Sequence, residues 1–337
     1  MMKLGILFLA STVLGGSASA QQLVWKELAE LPRPVAGYMA GVSHGKLLII
    51  GGSFWENKQK HWSDLVQVFD PRTNGWRKEL PLPAPRSDAA SASLHDDIYI
   101  FGGGSGTDVR KDALVFHGGK WNRIPAGDLP EARLYATAIA VDGYIYLLGG
   151  MPTAGDYKTV TNTFWRWRPS AKSWEIMPPL PGPGRISHAM AEIQGSIFVF
   201  GGATAGPQDV VNLKDAYRFD PSTRTWTRLA DLAVANRSWW AVGLGEVALV
   251  LAGYTNDFAR EVYWYTPTQN LERAGALPHG LADIKFFRIG ETVVGTGGEA
   301  GPGVRGRWTL GARLPSAASA KNTRRTAPGR STIHEVP

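Results

Sequence analysis

Residues 197–202 read Ile197-Phe198-Val199-Phe200-Gly201-Gly202, an apolar run that stops on two glycines. An unbroken apolar tetrapeptide suits a strand buried on both faces, and paired glycines end it with backbone angles that other residues resist. The same word recurs at Gly51-Gly52, Gly102-Gly103, Gly149-Gly150 and Gly297-Gly298, with Ala252-Gly253 as a worn copy. The first residues of successive pairs are spaced 51, 47, 52, 51 and 45 apart. Strand-like segments precede them at 47–50, 98–101, 144–148, 197–200, 247–251 and 291–295. A second landmark follows: Trp76, Trp174 and Trp226 each lie 24 residues after a second glycine, and Trp121 lies 18 after. Pro71, Pro169 and Pro221 stand five residues before their Trp, where a turn links two strands. In the fifth copy Thr266-Pro267 marks the turn and Leu271 replaces the Trp. A period near 50 with these signals predicts a repeat of four short strands, each unit burying its two faces against its neighbours. A two-sheet sandwich would leave the regular copies unexplained.

The chain has 337 residues, with 40 Gly, 22 Pro, 13 Trp and no Cys. Without Cys there is no disulfide framework, no thiolate metal site and no cysteine nucleophile. The net charge of +7 is not spread evenly. Residues 1–20 read as a secretory signal: Lys3, an apolar stretch over 4–14, and the small-residue site Ala18-Ser19-Ala20. That stretch is shorter than the roughly 20 residues a membrane anchor needs. The expectation is a periplasmic or secreted protein with no membrane span after cleavage. Residues 316–337 carry Lys321, Arg324, Arg325 and Arg330 against Glu335 and read as a disordered basic tail. The body, 21–315, keeps only a small excess of positive charge, too little for a nucleic-acid surface.

The diglycine after an apolar strand, the later Trp, and the Leu-Pro-x-x-Arg lead-in, as in Leu82 to Arg86, resemble the kelch family of β-propellers. That resemblance implies an all-β, six-bladed kelch propeller over 21–315, about 48 residues per blade. Trp25-Lys26-Glu27-Leu28 resembles the outer-strand sequences Trp76-Arg77-Lys78-Glu79-Leu80 and Trp226-Thr227-Arg228-Leu229, and the last unit is one strand short. The N-terminal strand is therefore expected to close the last blade.

Between each Trp and the next Gly pair runs the segment expected to form the innermost strand. Arg86, Arg133 and Arg185 each lie 16 residues before the following pair, and Arg237 is read as the fourth member of this register. Four guanidiniums around one channel mouth would attract a carboxylate; alternatively they bond carbonyls within the propeller. His188, Trp239, Trp240, Asp88 and Tyr135 lie in the same segments, with Arg86, Arg133, Arg185, Arg237, His188 and Trp239 taken as substrate-binding candidates. The loop 53–64, with Trp55, Glu56, Asn57, His61 and Trp62, suits a cover over that mouth.

The last unit contains Gly298-Glu299-Ala300-Gly301-Pro302-Gly303-Val304-Arg305. A turn needs the Gly and Pro; it needs neither Glu299 nor Arg305. The string is similar to one in the bacterial N-acetylneuraminate epimerases, the sialic acid mutarotases. That resemblance implies Glu299 as the catalytic acid/base and Arg305 as the residue that orients or holds the sugar's carboxylate. Two departures stand out: here the turn closes the last blade, as in a cyclic permutation, and the large mid-chain insertion of that family is absent. The expected chemistry is general acid/base ring opening on a small acidic sugar, with no cofactor and no metal. Sialidase turns and the Tyr–Cys copper site of galactose oxidase have no counterpart. The competing expectation is a non-catalytic secreted kelch module that binds a protein or glycan on one face.

Overall fold

A computed structural model describes residues 22–315; the leader read at 1–20 and the basic tail read at 316–337 lie outside the described residues. Six four-stranded antiparallel sheets form, each meandering outward from the channel. Blade I runs Met39–Ser43, Lys46–Ile50, Val66–Asp70 and Gly75–Glu79. Blades II to V begin at Ala90–Leu94, Thr137–Val141, Ala189–Ile193 and Trp240–Gly243. Blade VI takes Lys285–Ile289, Thr292–Thr296 and Thr309–Arg313 from the C-terminal side. Its fourth strand is Trp25–Glu27, with Trp25 opposite Ala312 and Glu27 opposite Leu310. Each innermost strand touches the next, and Lys285–Ile289 touches Met39–Ser43, so the circle closes. The fold is the six-bladed, all-β propeller with the N-terminal clasp. Among the described residues no helix is long and apolar enough to cross a membrane.

The apolar core is distributed between blades. One cluster joins Met39, Ile50 and Val68 of blade I to Ile98, Ile100 and Phe116 of blade II. Another joins Val294 of blade VI to Tyr38, Leu47 and Phe69 of blade I. Every other junction has its own cluster. The recurring words have physical causes. Gly51 and Gly52 both have positive φ, and a Cβ on Gly51 would stand 2.4 Å from the Arg86 carbonyl of blade II. The Gly52 N–H donates to that same carbonyl at 2.8 Å, so the pair is where one blade's backbone abuts the next. The indole N–H of Trp76 donates to Ala29, Trp121 to Leu80, Trp174 to Gly127 and Trp226 to Pro178. Each ties an outer strand to the end of the preceding blade. Where Leu271 replaces Trp, Asn270 Nδ2 makes the equivalent tie to the Asp231 carbonyl.

Candidate functional site

Just ahead of each innermost strand one residue adopts positive φ: Gly37, Asp88, Tyr135, Ser187, Ser238 and Asp283. Their backbones are chained around the channel. Asp88 N–H donates to Gly37 O (2.6 Å), Tyr135 to Asp88 (2.9 Å), Ser187 to Tyr135 (3.4 Å), Ser238 to Ser187 (2.8 Å) and Asp283 to Ser238 (2.8 Å). At the sixth junction Gly37 N–H goes instead to Oδ2 of the Asp283 side chain. These residues rim a cavity of about 60 Å³, room for a few water-sized groups. The connections between second and third strands rise around the same mouth, because each follows a Gly pair bonded to the lead-in segment. One bridge per blade makes that tie: Ala36–Ser53, Ser87–Gly104, Leu134–Met151, Ile186–Ala203, Arg237–Tyr254 and Ala282–Glu299.

Glu299 is therefore the residue after the last Gly pair, laced by two backbone bonds to Ala282, the neighbour of Asp283. Arg305 reaches back from the far side of the same short hairpin, donating from Nη1 to Glu299 Oε1. It also donates from Nε to the Ser53 carbonyl (3.1 Å) and from Nη2 to the Ser53 hydroxyl (3.2 Å). The structure thus brings Glu299 and Arg305 together, but it employs the Arg305 guanidinium in protein contacts. Burial raises the Glu299 carboxyl above the usual range and the Asp283 charge adds to this, while Arg305 and Lys60 pull the other way without reversing it. Asp88, half-buried by surface area yet walled by protein inside the mouth, is raised to about 6, first by burial and then by the Asp283 charge. The Tyr135 phenol is pushed far up, chiefly by Asp88, then by burial, with Tyr157, Asp283 and Glu299 adding. Asp88 and Asp283 line the cavity together with Tyr135, and the Glu299 charge also reaches that phenol. Cations stand among them: Lys285 lies 3.5 Å from Asp283 Oδ1, and Lys60 acts on both Asp88 and Glu299 from the first-blade hairpin.

The arginines expected to form a collar sit elsewhere. The innermost strands start four residues beyond Arg86, Arg133 and Arg185, which are buried in the lead-in segments. Arg86 donates to Gly102 O (3.0 Å) and pairs with Asp112 (2.7 Å). Arg185 donates to Gly201 O (2.9 Å) and forks onto Asp215. Arg133 pairs with Glu131 and lies over the Trp165 ring. Their guanidiniums bind protein oxygens because burial demands a partner for each charge. Arg237 falls one residue out of this register. Asn236 holds the place instead, its Nδ2 donating to Ala252 O and its carbonyl accepting from Gly202 N–H. Arg237 lies half-buried over the Tyr254 ring, bonded to Asn212 Oδ1 at 2.6 Å.

His188 and Trp239 directly follow the ring residues Ser187 and Ser238, line the mouth cavity and wedge between blades. The Trp239 indole N–H donates to Phe200 O (3.1 Å), and its ring packs over Gly201. His188 packs against Gly149 and Gly202; burial, then the Arg185 charge, holds its imidazole neutral, far below the ordinary histidine range. The first-blade loop forms a hairpin, Ser53–Glu56 with Gln59–Trp62, whose Trp55 lies against Gly303 of the last-blade hairpin. Asp283, Lys60 and Lys285 were not among the expected site residues. Only the six-fold register of the ring position could have exposed Asp283, and nothing in the sequence marks the lysines.

The class these observations define is a closed six-bladed propeller with a polar, carboxylate-lined mouth at one end of its channel. The chain belongs to the kelch-repeat family: residues 18–202 match the KLHDC2/KLHL20/DRC7 Kelch-repeats domain, and residues 184–233 match the Kelch motif. Among curated proteins it is similar to Kelch-like protein 34 of Homo sapiens, 24% identical over 73% of this chain and 38% of that protein. It is also similar to Kelch-like protein 25 of Xenopus tropicalis, 26% identical over 84% of this chain and 47% of that protein. The chain thus spans less than half the length of these relatives. Among solved structures it superposes on that of YjhT with a TM-score of 0.68 and 15% identity, covering 84% of this chain and 96% of that one.

Proposed function

We propose that the mouth of this propeller is a general acid–base site that interconverts the anomers of a sugar acid, N-acetylneuraminate or a close relative, in an exported protein. The observation that carries this reading is Glu299: it is half-buried at the mouth, and its carboxyl stays raised although Arg305 touches it. A carboxyl whose proton affinity is moved toward neutrality exchanges protons well near physiological pH. Mutarotation asks for little more. A base removes the proton of the anomeric hydroxyl, the bond from the anomeric carbon to the ring oxygen breaks, and an acid protonates that oxygen. Rotation and closure on the other face return both protons. Arg305 orients Glu299, and with its donors engaged it leaves the sugar's carboxylate to other cations. Lys60 suits this, having no carboxylate within ion-pair distance among the described residues. The cavity is too small to enclose a sugar, so the ring would lie among the hairpins above it. Export rests on the leader read at residues 1–20.

The test follows freshly dissolved N-acetylneuraminate by NMR. Wild type should equilibrate the anomers faster than buffer, and Glu299→Gln should lose most of that acceleration. Wild type no faster than buffer removes the enzyme reading; equal acceleration by Glu299→Gln removes Glu299 from the chemistry.

A second reading has its own support. Trp55, Tyr157, Val211 and Val304 are exposed apolar side chains on connections around the same mouth, which suits a protein or glycan partner. It predicts ligand binding with no anomeric acceleration.

A further inference from the structure

Gly37 touches two carboxylates that come from different blades. Its N–H donates to Asp283 Oδ2 of blade VI. A Cβ on Gly37 would stand 2.4 Å from Asp88 Oδ1 of blade II, so the Asp88 carboxyl rests directly on the glycine. A side chain at 37 would displace the Asp88 carboxyl; its absence lets both carboxyls contact one residue, and both line the mouth cavity. Their surroundings differ. Asp283 receives the Gly37 N–H and has Lys285 Nζ at 3.5 Å. Asp88 receives only the Ser87 hydroxyl at 2.8 Å, and among the described residues no cation lies within ion-pair distance. Two neighbouring carboxylates in a confined site do not both ionise readily, and the one with fewer donors keeps the proton.

The geometry points to Asp88 as the proton donor of this site, delivering its proton to the departing ring oxygen of a hemiacetal sugar while Glu299 takes the proton of the anomeric hydroxyl. This rests on the mutarotase reading and assigns that reaction the acid it otherwise lacks. The balance is complete without a co-reactant: opening leaves Asp88 as carboxylate and Glu299 as acid, the electron pair of the broken C–O bond stays on the ring oxygen, and closure reverses both transfers. Burial and the Asp283 charge raise Asp88 to about 6; Lys60 and Lys285 temper this, and Tyr135 is the other titratable group facing it. Asp88 is then partly protonated near pH 6. Asp283 is the positioning residue that keeps the proton on its neighbour.

Two measurements separate this assignment from the reading beneath it. The first needs no substrate: infrared difference spectra of the whole protein across pH 4 to 8. Wild type should show a protonated carboxyl that titrates near pH 6. It should be missing in Asp88→Asn and shifted to lower pH in Asp283→Asn. The second is the rate of anomeric exchange of N-acetylneuraminate against pH. Wild type should slow as pH rises through about 6, and Asp88→Asn should lose about a hundredfold at pH 6 along with that limb of the profile. Absence of the infrared band, or an Asp88→Asn profile matching wild type, overturns the donor role even if the protein is a mutarotase. Wild type no faster than buffer overturns the mutarotase reading and the donor role together, whatever the infrared band shows.

Discussion

Arg305 and Ser53 lie 252 residues apart, yet two guanidinium donors of Arg305 close on the carbonyl and hydroxyl of Ser53. The contact spans the seam where the last blade meets the first, the one junction at which the ring of channel backbone bonds switches from a carbonyl to the Asp283 carboxylate. Ser53 is itself held to Ala36 by a reciprocal backbone pair at 2.8 and 3.0 Å. Arg305 therefore links the catalytic candidate Glu299 to the closure of the propeller, and stability and site geometry are coupled through one side chain.

Removing that side chain should be costly. The Arg305 side chain is 7% exposed, so Arg305→Ala strands the Glu299 carboxylate beside Asp283 and deletes two further bonds. A loss of about 2 kcal/mol is expected by urea denaturation, less than for a fully buried pair because Glu299 touches water. Arg305→Lys should recover little, since an ammonium cannot supply the fork. Arg305→Ala combined with Glu299→Gln should be more stable than Arg305→Ala alone, because no unpaired charge remains. Equal stability of Arg305→Ala and wild type would refute the latch.

Closure also depends on Trp25–Glu27, the strand that completes blade VI. Trp25 packs edge-on against Phe286 at 5.4 Å and belongs to the cluster between blades V and VI. Trp25→Ala should cost about 2 kcal/mol, toward the low side for an aromatic truncation because the ring is half-buried. It should also loosen the cover over Thr309–Arg313, whose freed edge is open to pairing with other chains. Light scattering during thermal unfolding is the check: earlier aggregation than wild type is expected, and an unchanged profile would mean that the clasp is dispensable.

The propeller was legible because its signals are local and physically forced. Gly51-Gly52 must be glycines where a neighbouring carbonyl approaches within contact, and Trp76, Trp174 and Trp226 must be spaced to reach the preceding blade. The clasp was legible for the same reason, an outer-strand word at Trp25 like those at Trp76 and Trp226. Of the candidate site, Glu299 and Arg305 stood out because a turn does not require them, and Asp88 and Tyr135 were visible only as members of the inner segments. The ring position was hidden because Gly37, Asp88, Tyr135, Ser187, Ser238 and Asp283 share a backbone conformation and no side-chain type. Arg237 was misplaced by one residue because a neighbouring arginine was a more visible marker than Asn236, which makes the equivalent carbonyl bond. Whether an arginine faces the channel or a buried carbonyl depends on partners such as Asp112 and Asp215, 26 and 30 residues away, which no local pattern announces.

The raised Asp88 carboxyl predicts a pH dependence of stability with a definite sign. Its value moves from 3.8 in the unfolded chain to about 6 in the folded one, so the folded state holds the proton more tightly. The contribution is fully present below pH 3.8 and is lost as pH rises through 6, the reverse of an ion-paired carboxylate. Above that window wild type carries a penalty of about 2 kcal/mol from this group, allowing for the water it touches. Asp88→Asn keeps the shape and removes the ionisation. It should therefore be more stable than wild type by about that amount at pH 7.5 and no more stable at pH 3.5, read by urea denaturation at the two pH values. An Asn variant less stable than wild type at pH 7.5 would mean that the Asp88 anion is welcomed at the mouth, and the carboxyl pair at Gly37 would then share no strain for a proton to relieve.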